Sequence, residues 1–304
     1  MLDWLPQLYV SFFGSDVAVA PEYLGATVLI AWILYRWQRG RGGFWRWLLP
    51  REIYRHKSHK LDLALFAIGR VVVFTGVVGR VSLTVLIAGW VAGLTGDTGA
   101  SAGVLSPVVL ALAIWLMSDF AVYWAHRLHH QVRVIWPLHA VHHSAEVLTP
   151  LTAYRQHPLS YFVTAALQSS VLGALQGVLI GRLAPDTVMT QIAGINAFIV
   201  LANLTLANFH HSHLWIRFPV WLEHIFISPA QHQIHHSIAP DHYNRNYGQI
   251  LALWDWAFGT LRLSRGEAPP QIGLSDPEDA PLMTHSLGTT LWLPIRRMMP
   301  RRWR

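Results

Sequence analysis

Five apolar stretches, near residues 21–37, 71–95, 104–125, 159–181 and 187–208, constrain this chain more than any other feature. Each approaches the roughly 20 residues with which a helix crosses a hydrocarbon layer about 30 Å thick. A helix satisfies its own backbone polar groups, so it can do this without water. Composition agrees: 53% of the residues are hydrophobic and 13% charged, where a soluble domain carries roughly 25% charged residues. The expectation is an all-α integral membrane protein of about five transmembrane helices. The second stretch is the least regular, because Arg80 interrupts it and the preceding 61–70 is apolar apart from Asp62 and Arg70. We read one span there, with 61–70 as an interfacial amphipathic piece. The first stretch has no basic segment before it and no small-residue cleavage site, so it reads as a permanent helix and not as a signal peptide.

Charge gives the orientation. Eight bases (Arg36, Arg39, Arg41, Arg46, Arg51, Arg55, Lys57 and Lys60) follow the first stretch, whereas the segment before it carries Asp3, Asp16 and Glu22. By the positive-inside rule the N-terminus lies outside. The segment Thr95–Gly103, with Asp97, is then outside as well, and 126–158, 209–270 and the tail bases Arg296, Arg297, Arg301, Arg302 and Arg304 are inside. The net charge of +7 belongs to a cytoplasmic rim facing anionic lipid, and nothing beyond charge points to nucleic acid. In a bacterium this would be the inner membrane. No linker divides the chain, so residues 1–304 read as one domain. Only the tail from about 264, with Pro269, Pro270, Pro277 and Pro281, reads as loosely folded.

Three histidine clusters lie just beyond or between the apolar stretches: His126-Arg-Leu-His-His130, His139-Ala-Val-His-His143 and His232-Gln-Ile-His-His236. Side chains at i and i+4 share a helix face, so each cluster can aim imidazoles at one point. Imidazole suits iron, zinc, copper and nickel. Two ligands from the first cluster (His126, His130) and three from each of the others (His139, His142, His143; His232, His235, His236) make eight, too many for one ion and suitable for two. His211, in Asn208-Phe-His-His-Ser-His213, can complete this helical, histidine-rich metal-binding cap. His129, His210 and His213 point elsewhere on their helices. His56, His59, His224, His242 and His285 are isolated and read as interfacial or surface residues.

With no carboxylate inside the clusters, such a centre is redox-active or oxygen-activating before it is hydrolytic, and iron fits best. Asp119 and Tyr123 lie on the stripe leading to His126 and His130. Asp119 could accept an imidazole N–H and fix its tautomer, or merely cap buried polarity near the interface; Asp241 is a second candidate for the tautomer role. His157, before Pro158, reads either as a group supporting the metal ligands or as a helix cap. We take Asp119, Tyr123 and His157 as the catalytic candidates. The chain has no cysteine, so it holds no Cys-ligated iron–sulfur cluster and electrons must come from another protein. Trp136-Pro137 and Pro229 should open new helices ahead of the second and third clusters.

The spacing His126-x3-His130, eight residues, His139-x2-His142-His143, 88 residues, His232-x2-His235-His236 resembles the fatty acid hydroxylase superfamily, also called the sterol desaturase family. Further matches are Asp119-x3-Tyr123-x2-His126-Arg127, Arg155-x-His157-Pro158, Ser228-Pro229, Asn246-Tyr247-Gly248, Leu253-Trp254-Asp255 and Phe258-Gly259-Thr260. They run from about 119 to 260. The resemblance implies an integral membrane di-iron enzyme that hydroxylates or desaturates a lipid with O2 and an external reductant. The eight clustered histidines would be the iron ligands, and His211 matches an extra histidine before the last cluster. The family's ether-lipid-cleaving branch carries an acid directly after the second histidine of the first cluster; Gln131 stands here. The arginine usual after Trp-Asp is Trp256. With no fused cytochrome-b5-like domain, the donor would be a separate cytochrome b5-like protein, ferredoxin or reductase. The competing readings are a histidine-lined metal transporter, whose ligands should spread through the bilayer, and a zinc-dependent membrane hydrolase, for which His-Glu-x-x-His is missing.

Overall fold

Capping residues and prolines set the starts of the helices that matter. The computed structural model describes residues 4–15, 17–78, 80–95, 106–183 and 194–300, and among them there is no β-strand, only isolated bridges at Phe226–Leu251 and Ser237–Ile272. The principal helices are α1 (Leu5–Phe13), α2 (Pro21–Trp37), α3 (Lys57–Phe74), α4 (Arg80–Thr95), α5 (Pro107–Gln131), α6 (Trp136–His143), α7 (Pro158–Leu183), α8 (Gly194–Thr205), α9 (Pro229–His235) and α10 (Leu287–Met298), with shorter helical turns between them. Ser106 caps α5 by accepting from the Val109 N–H at 3.3 Å, and Pro107 opens it. Pro137 lies in the first turn of α6. Ser228 and Gln231 form a reciprocal capping box on α9 around Pro229. Each device supplies acceptors for N–H groups that a helix start leaves unpaired.

Two described helices, Val108–Gln131 and Pro158–Arg182, are long and apolar enough to cross a membrane, and Leu83–Thr95 is apolar but shorter. α4 packs along α7 on a row of glycines that the apolar pattern conceals. A Cβ on Gly173, Gly177 or Gly181 would lie 2.9, 2.7 or 2.9 Å from the carbonyl oxygens of Thr84, Ala88 and Ala92. Small residues at four-residue intervals let two backbones approach closely, which is how helices associate where lipid removes any hydrophobic advantage. The opposite side of α4 turns Leu86, Trp90 and Leu94 outward, 67–70% exposed.

The single span expected over 71–95 is divided. α3 ends at Phe74, a turn with Gly76 at φ +68° follows, and α4 begins at Arg80. The piece at 61–70 is part of a full helix that buries His59, Asp62 and Arg70. It lies against Pro150–Tyr154 and α1, so these polar residues of α3 face other parts of the protein. The loop with Asp97, the start of the fifth stretch up to 193, and Arg301, Arg302 and Arg304 lie outside the described residues.

The tail is folded, contrary to expectation. Leu282 joins a core with Leu61, Leu65, Ala140 and Val141, Trp136 donates its indole N–H to Asp279 at 3.0 Å, and α10 packs on α6. Its prolines open turns, as Pro281 does within Ala280–Thr284, and the apolar residues between them reach the core beside α3 and α6.

Candidate metal centre

Nine histidines converge in two adjoining groups: His126, His130, His139, His143 and His235 in one, and His142, His211, His232 and His236 in the other. Within each group one ring nitrogen per residue lies within 4.8 Å of all the others. These are the eight clustered histidines and His211. The helical clusters do not each build one site, however. The neighbours His142 and His143 on α6 separate into different groups, and so do His235 and His236 at the end of α9. Consecutive residues on a helix point about 100° apart, so each doublet can straddle the two sites. The rings of His143 and His236 then stack across the boundary at 4.5 Å.

The donor atoms suit metal ions. His126 donates its Nδ1–H to the Tyr247 carbonyl at 2.8 Å, and His235 donates its own to the Arg245 carbonyl at 2.8 Å. Both therefore present a bare Nε2 lone pair inward. The Nε2 atoms of His130, His143 and His235 are buried without a protein partner. In the second group the Nε2 atoms of His211 and His142, His232 and His211, and His236 and His232 are 3.2, 3.0 and 3.3 Å apart. Ligands about 2.1 Å from one ion sit roughly 3.0–3.4 Å from each other in octahedral or tetrahedral arrangements. Burial, with help from neighbouring imidazoles, holds His139, His143, His211, His232 and His236 well below the usual histidine range, His142 down to about 3 and His235 to about 4. The groups are thus neutral near pH 7 and free to ligate.

The three catalytic candidates are placed elsewhere. Asp119 accepts from the Trp254 indole N–H at 2.9 Å and the Leu251 N–H at 3.3 Å; it does not meet His126, whose N–H the Tyr247 carbonyl has taken. Tyr123 lies between Thr260 Oγ1 at 3.1 Å and the Arg127 guanidinium at 3.0 Å. His157 caps α7, accepting from the Leu159 N–H at 3.1 Å, and donates to the Leu291 carbonyl at 3.0 Å. None of these hydrogen bonds runs to an imidazole of either histidine group. Asp241 is exposed. As expected, His129, His210 and His213 stand outside both groups, hydrogen-bonded to the carbonyls of Ala125, Ile227 and Trp47. Trp256 is exposed, edge-on to His224.

The carboxylate that orders the first group is Asp255, fully buried. It accepts from the Tyr247 N–H at 2.8 Å, the Gly248 N–H at 2.7 Å and Thr260 Oγ1 at 2.6 Å. A Cβ on Gly248 would lie 2.4 Å from the Leu251 carbonyl, so only glycine permits this turn. Asp255 thus fixes the peptide whose carbonyl orients His126. The Asn-Tyr-Gly, Trp-Asp and Thr260 motifs are one assembly, though their spacing in sequence does not reveal the contacts. A second hidden set joins His285, half-buried with its side chain 3% exposed, to Glu146 and Arg155. Arg155 donates to His285 Nδ1 at 3.0 Å, which leaves the Nε2–H facing the Glu146 carboxylate. His56 lies beside them, but that tautomer makes the set a hydrogen-bonded latch and not a metal site.

Two polyimidazole groups beside long apolar helices define a candidate metal centre. Residues 111–260 match the fatty acid hydroxylase family profile, and through this region the chain belongs to the fatty acid hydroxylase superfamily. It is 33% identical over 168 residues to ornithine lipid hydroxylase OlsE of Rhizobium tropici, covering 55% of this chain and 45% of that one. It is 31% identical over 162 residues to Delta(7)-sterol-C5(6)-desaturase of Nicotiana tabacum (53% and 52%), and 29% identical over 156 residues to alkylglycerol monooxygenase of Caenorhabditis elegans (51% and 28%). The chain therefore spans about half or less of the length of these curated relatives. No solved structure is a significant match.

Proposed function

We propose that this protein is a membrane-bound di-iron oxygenase that hydroxylates or desaturates a lipid, using O2 and electrons from a separate protein. The observation that carries this reading is the division of nine neutral imidazoles, seven of them on buried residues, into groups of five and four with no carboxylate in either. Bound there, a pair of iron ions would supply dioxygen activation and removal of hydrogen from an unactivated C–H bond. The protein's own part is to hold the donors ready. The Tyr247 and Arg245 carbonyls fix the tautomers of His126 and His235, Asp255 fixes the peptide that carries the Tyr247 carbonyl, and burial of seven of the nine histidines limits the access of water to the site.

The relatives named above act, by their names, on an ornithine lipid, a sterol and an alkylglycerol, and a lipid is the substrate class they share. The membrane would supply it. With α3 part of the cap, α4 is the one crossing between α2 and α5, which keeps 126–158 and 209–270 on the cytoplasmic side with the donor. Mass spectrometry of whole-cell lipids with and without the gene tests the reading. A lipid that has gained one oxygen or lost two hydrogens, with oxygen uptake that depends on added reductant, is the expected result; unchanged lipids and no such uptake would refute it.

A further inference from the structure

Both ends of α2 are tied to one short segment, 208–214, which also carries His211 of the four-histidine group. Just before α2 the Ala18 N–H donates to the Tyr154 hydroxyl at 2.6 Å, and the Ala18 carbonyl accepts from the Asn208 amide at 2.7 Å. Along its middle, Thr27 Oγ1 accepts from the same amide at 3.0 Å, and Ala31 packs in one cluster with Phe209 and Leu214. Near its end Leu34 joins that cluster with Leu48, and the Tyr35 ring lies 5.4 Å from the ring of Trp47. The Trp47 carbonyl in turn accepts from His213 Nε2–H at 3.0 Å. Asn208 and His213 are five residues apart, a distance of at most about 18 Å even in extended chain. A hydrocarbon layer about 30 Å thick cannot lie between them.

The outer side of α2 is nevertheless apolar and uncovered. Leu29, Trp32, Ile33 and Trp37 are 48–81% exposed, whereas Tyr23, Thr27 and Ala31 on the opposite side are buried. α1 repeats the pattern: Tyr9 and Val10 are more than half exposed, while Ser11 turns inward and donates to the Arg70 carbonyl at 2.8 Å. Arg36, Arg39, Arg41 and Arg46, all exposed, gather where α2 ends and just beyond it. A helix packed on the protein by one side and apolar on the other, with tryptophans on the apolar side and arginines at its end, suits the plane of a membrane surface. We propose that α1 and α2 are interfacial helices on the side of the metal centre, their apolar outer face set into one leaflet of the bilayer. The N-terminus then lies inside, opposite to what charge suggested, and α2 is not a crossing. The eight bases that follow the first stretch stay inside as before, and the acids Asp3, Asp16 and Glu22 carry little weight in orientation. The proposal rests on the membrane part of the reading above and not on its chemistry.

Sidedness and depth test this without turnover. The chain has no cysteine, so single cysteines can be placed in the full-length protein at the exposed positions Ser15 and Gln38, before and after α2. They are labelled with a membrane-impermeant maleimide in sealed right-side-out and inside-out vesicles. Both should label from the same side as Arg265→Cys. Labelling of Ser15→Cys from the side opposite to Gln38→Cys, or of both from the side opposite to Arg265→Cys, would overturn the proposal. Depth is read separately, from a fluorophore on Leu24→Cys or Trp37→Cys quenched by phosphatidylcholine carrying a nitroxide on its headgroup or near its chain end. These positions are 13 residues apart, about 20 Å along a helix, so a crossing α2 would separate the two depths by most of that length. Interfacial helices put both labels about 5–10 Å into the boundary between headgroups and chains, where the headgroup nitroxide quenches each more than the chain-end one. Depths that differ as a crossing requires, or labels that no lipid nitroxide quenches because another protein chain covers this face, would overturn the leaflet as its occupant. Same-side labelling at equal shallow depth, in a protein that makes no lipid product in cells, would instead refute the oxygenase reading and leave the interfacial helices standing.

Discussion

Arg155 and Asp62 are both fully buried and meet at 2.8 Å, and breaking this pair should cripple the cap. The guanidinium also donates to the Val141 carbonyl at 2.9 Å, the Ser144 carbonyl at 3.2 Å and the Ser58 carbonyl at 3.0 Å. A cation therefore sits against the C-terminal end of α6, where helix carbonyls lack partners and the dipole favours positive charge. That end carries His142 and His143. Arg155→Met would leave the Asp62 carboxyl buried with only Thr152 Oγ1, at 2.7 Å, as a side-chain partner, and Asp62→Leu would leave the guanidinium without its carboxylate. Removing one partner of a buried pair costs about 3–5 kcal/mol, whereas replacing both by apolar groups of similar volume is often close to neutral. Each single variant should thus unfold about 3–5 kcal/mol more easily, read from denaturant midpoints followed by circular dichroism in detergent. The double variant should cost at least about 2 kcal/mol less than the sum of the singles. Additive costs, or a single-variant cost under about 1 kcal/mol, would show that the pair is not what holds α6.

Asp255→Ala strands two buried N–H groups, those of Tyr247 and Gly248, at about 1–3 kcal/mol each. It should release metal from the five-histidine group before the four-histidine group, and equal loss from both, measured as metal per chain against chelator, contradicts the assembly described for Asp255. The metal-free protein should lose stability in acid. His142 at about 3 and His235 at about 4 stay neutral when folded but take up a proton near pH 6.5 when unfolded. Their contribution is therefore complete above about pH 6.5 and falls below it by up to roughly 1.4 kcal/mol per pH unit for each residue, levelling off at the folded values. A flat pH–stability curve between 6.5 and 4.5 would contradict the buried neutral state. Reporter fusions after Gly99 should read as periplasmic or luminal, and those after Ser144 and Arg265 as cytoplasmic; opposite sides for the last two would separate the histidine clusters and end the shared-centre account.

That these nine histidines would converge was legible because their chemistry leaves few uses for so many at helical spacing, and because Pro137 and Pro229 mark where two of their helices begin. How the ligands divide was not. The 5 and 4 grouping depends on how α5, α6 and α9 meet, and a doublet such as His142-His143 carries no sign of which ring faces which ion. Asp119 was the natural carboxylate to choose, being on the stripe of His126, yet Asp255 does the ordering through a backbone carbonyl, a partner that no side-chain pattern displays. The break before α4 follows from burial: Asp62 and Arg70 look interfacial in isolation and become cap residues once Arg155 and Ser11 are seen beside them. The tail misled for a similar reason. Its prolines suggested looseness, while the apolar residues between them, Leu282, Leu291 and Leu293, reach the core beside α6.

Metal stoichiometry tests the central claim most directly. Protein purified from iron-replete membranes should hold two iron atoms per chain by elemental analysis, and pairwise substitution within one group, His130→Ala with His143→Ala or His211→Ala with His236→Ala, should leave about one. One iron per chain in the unaltered protein, or full activity with stoichiometric zinc and no iron, would contradict a di-iron centre shared between the two groups.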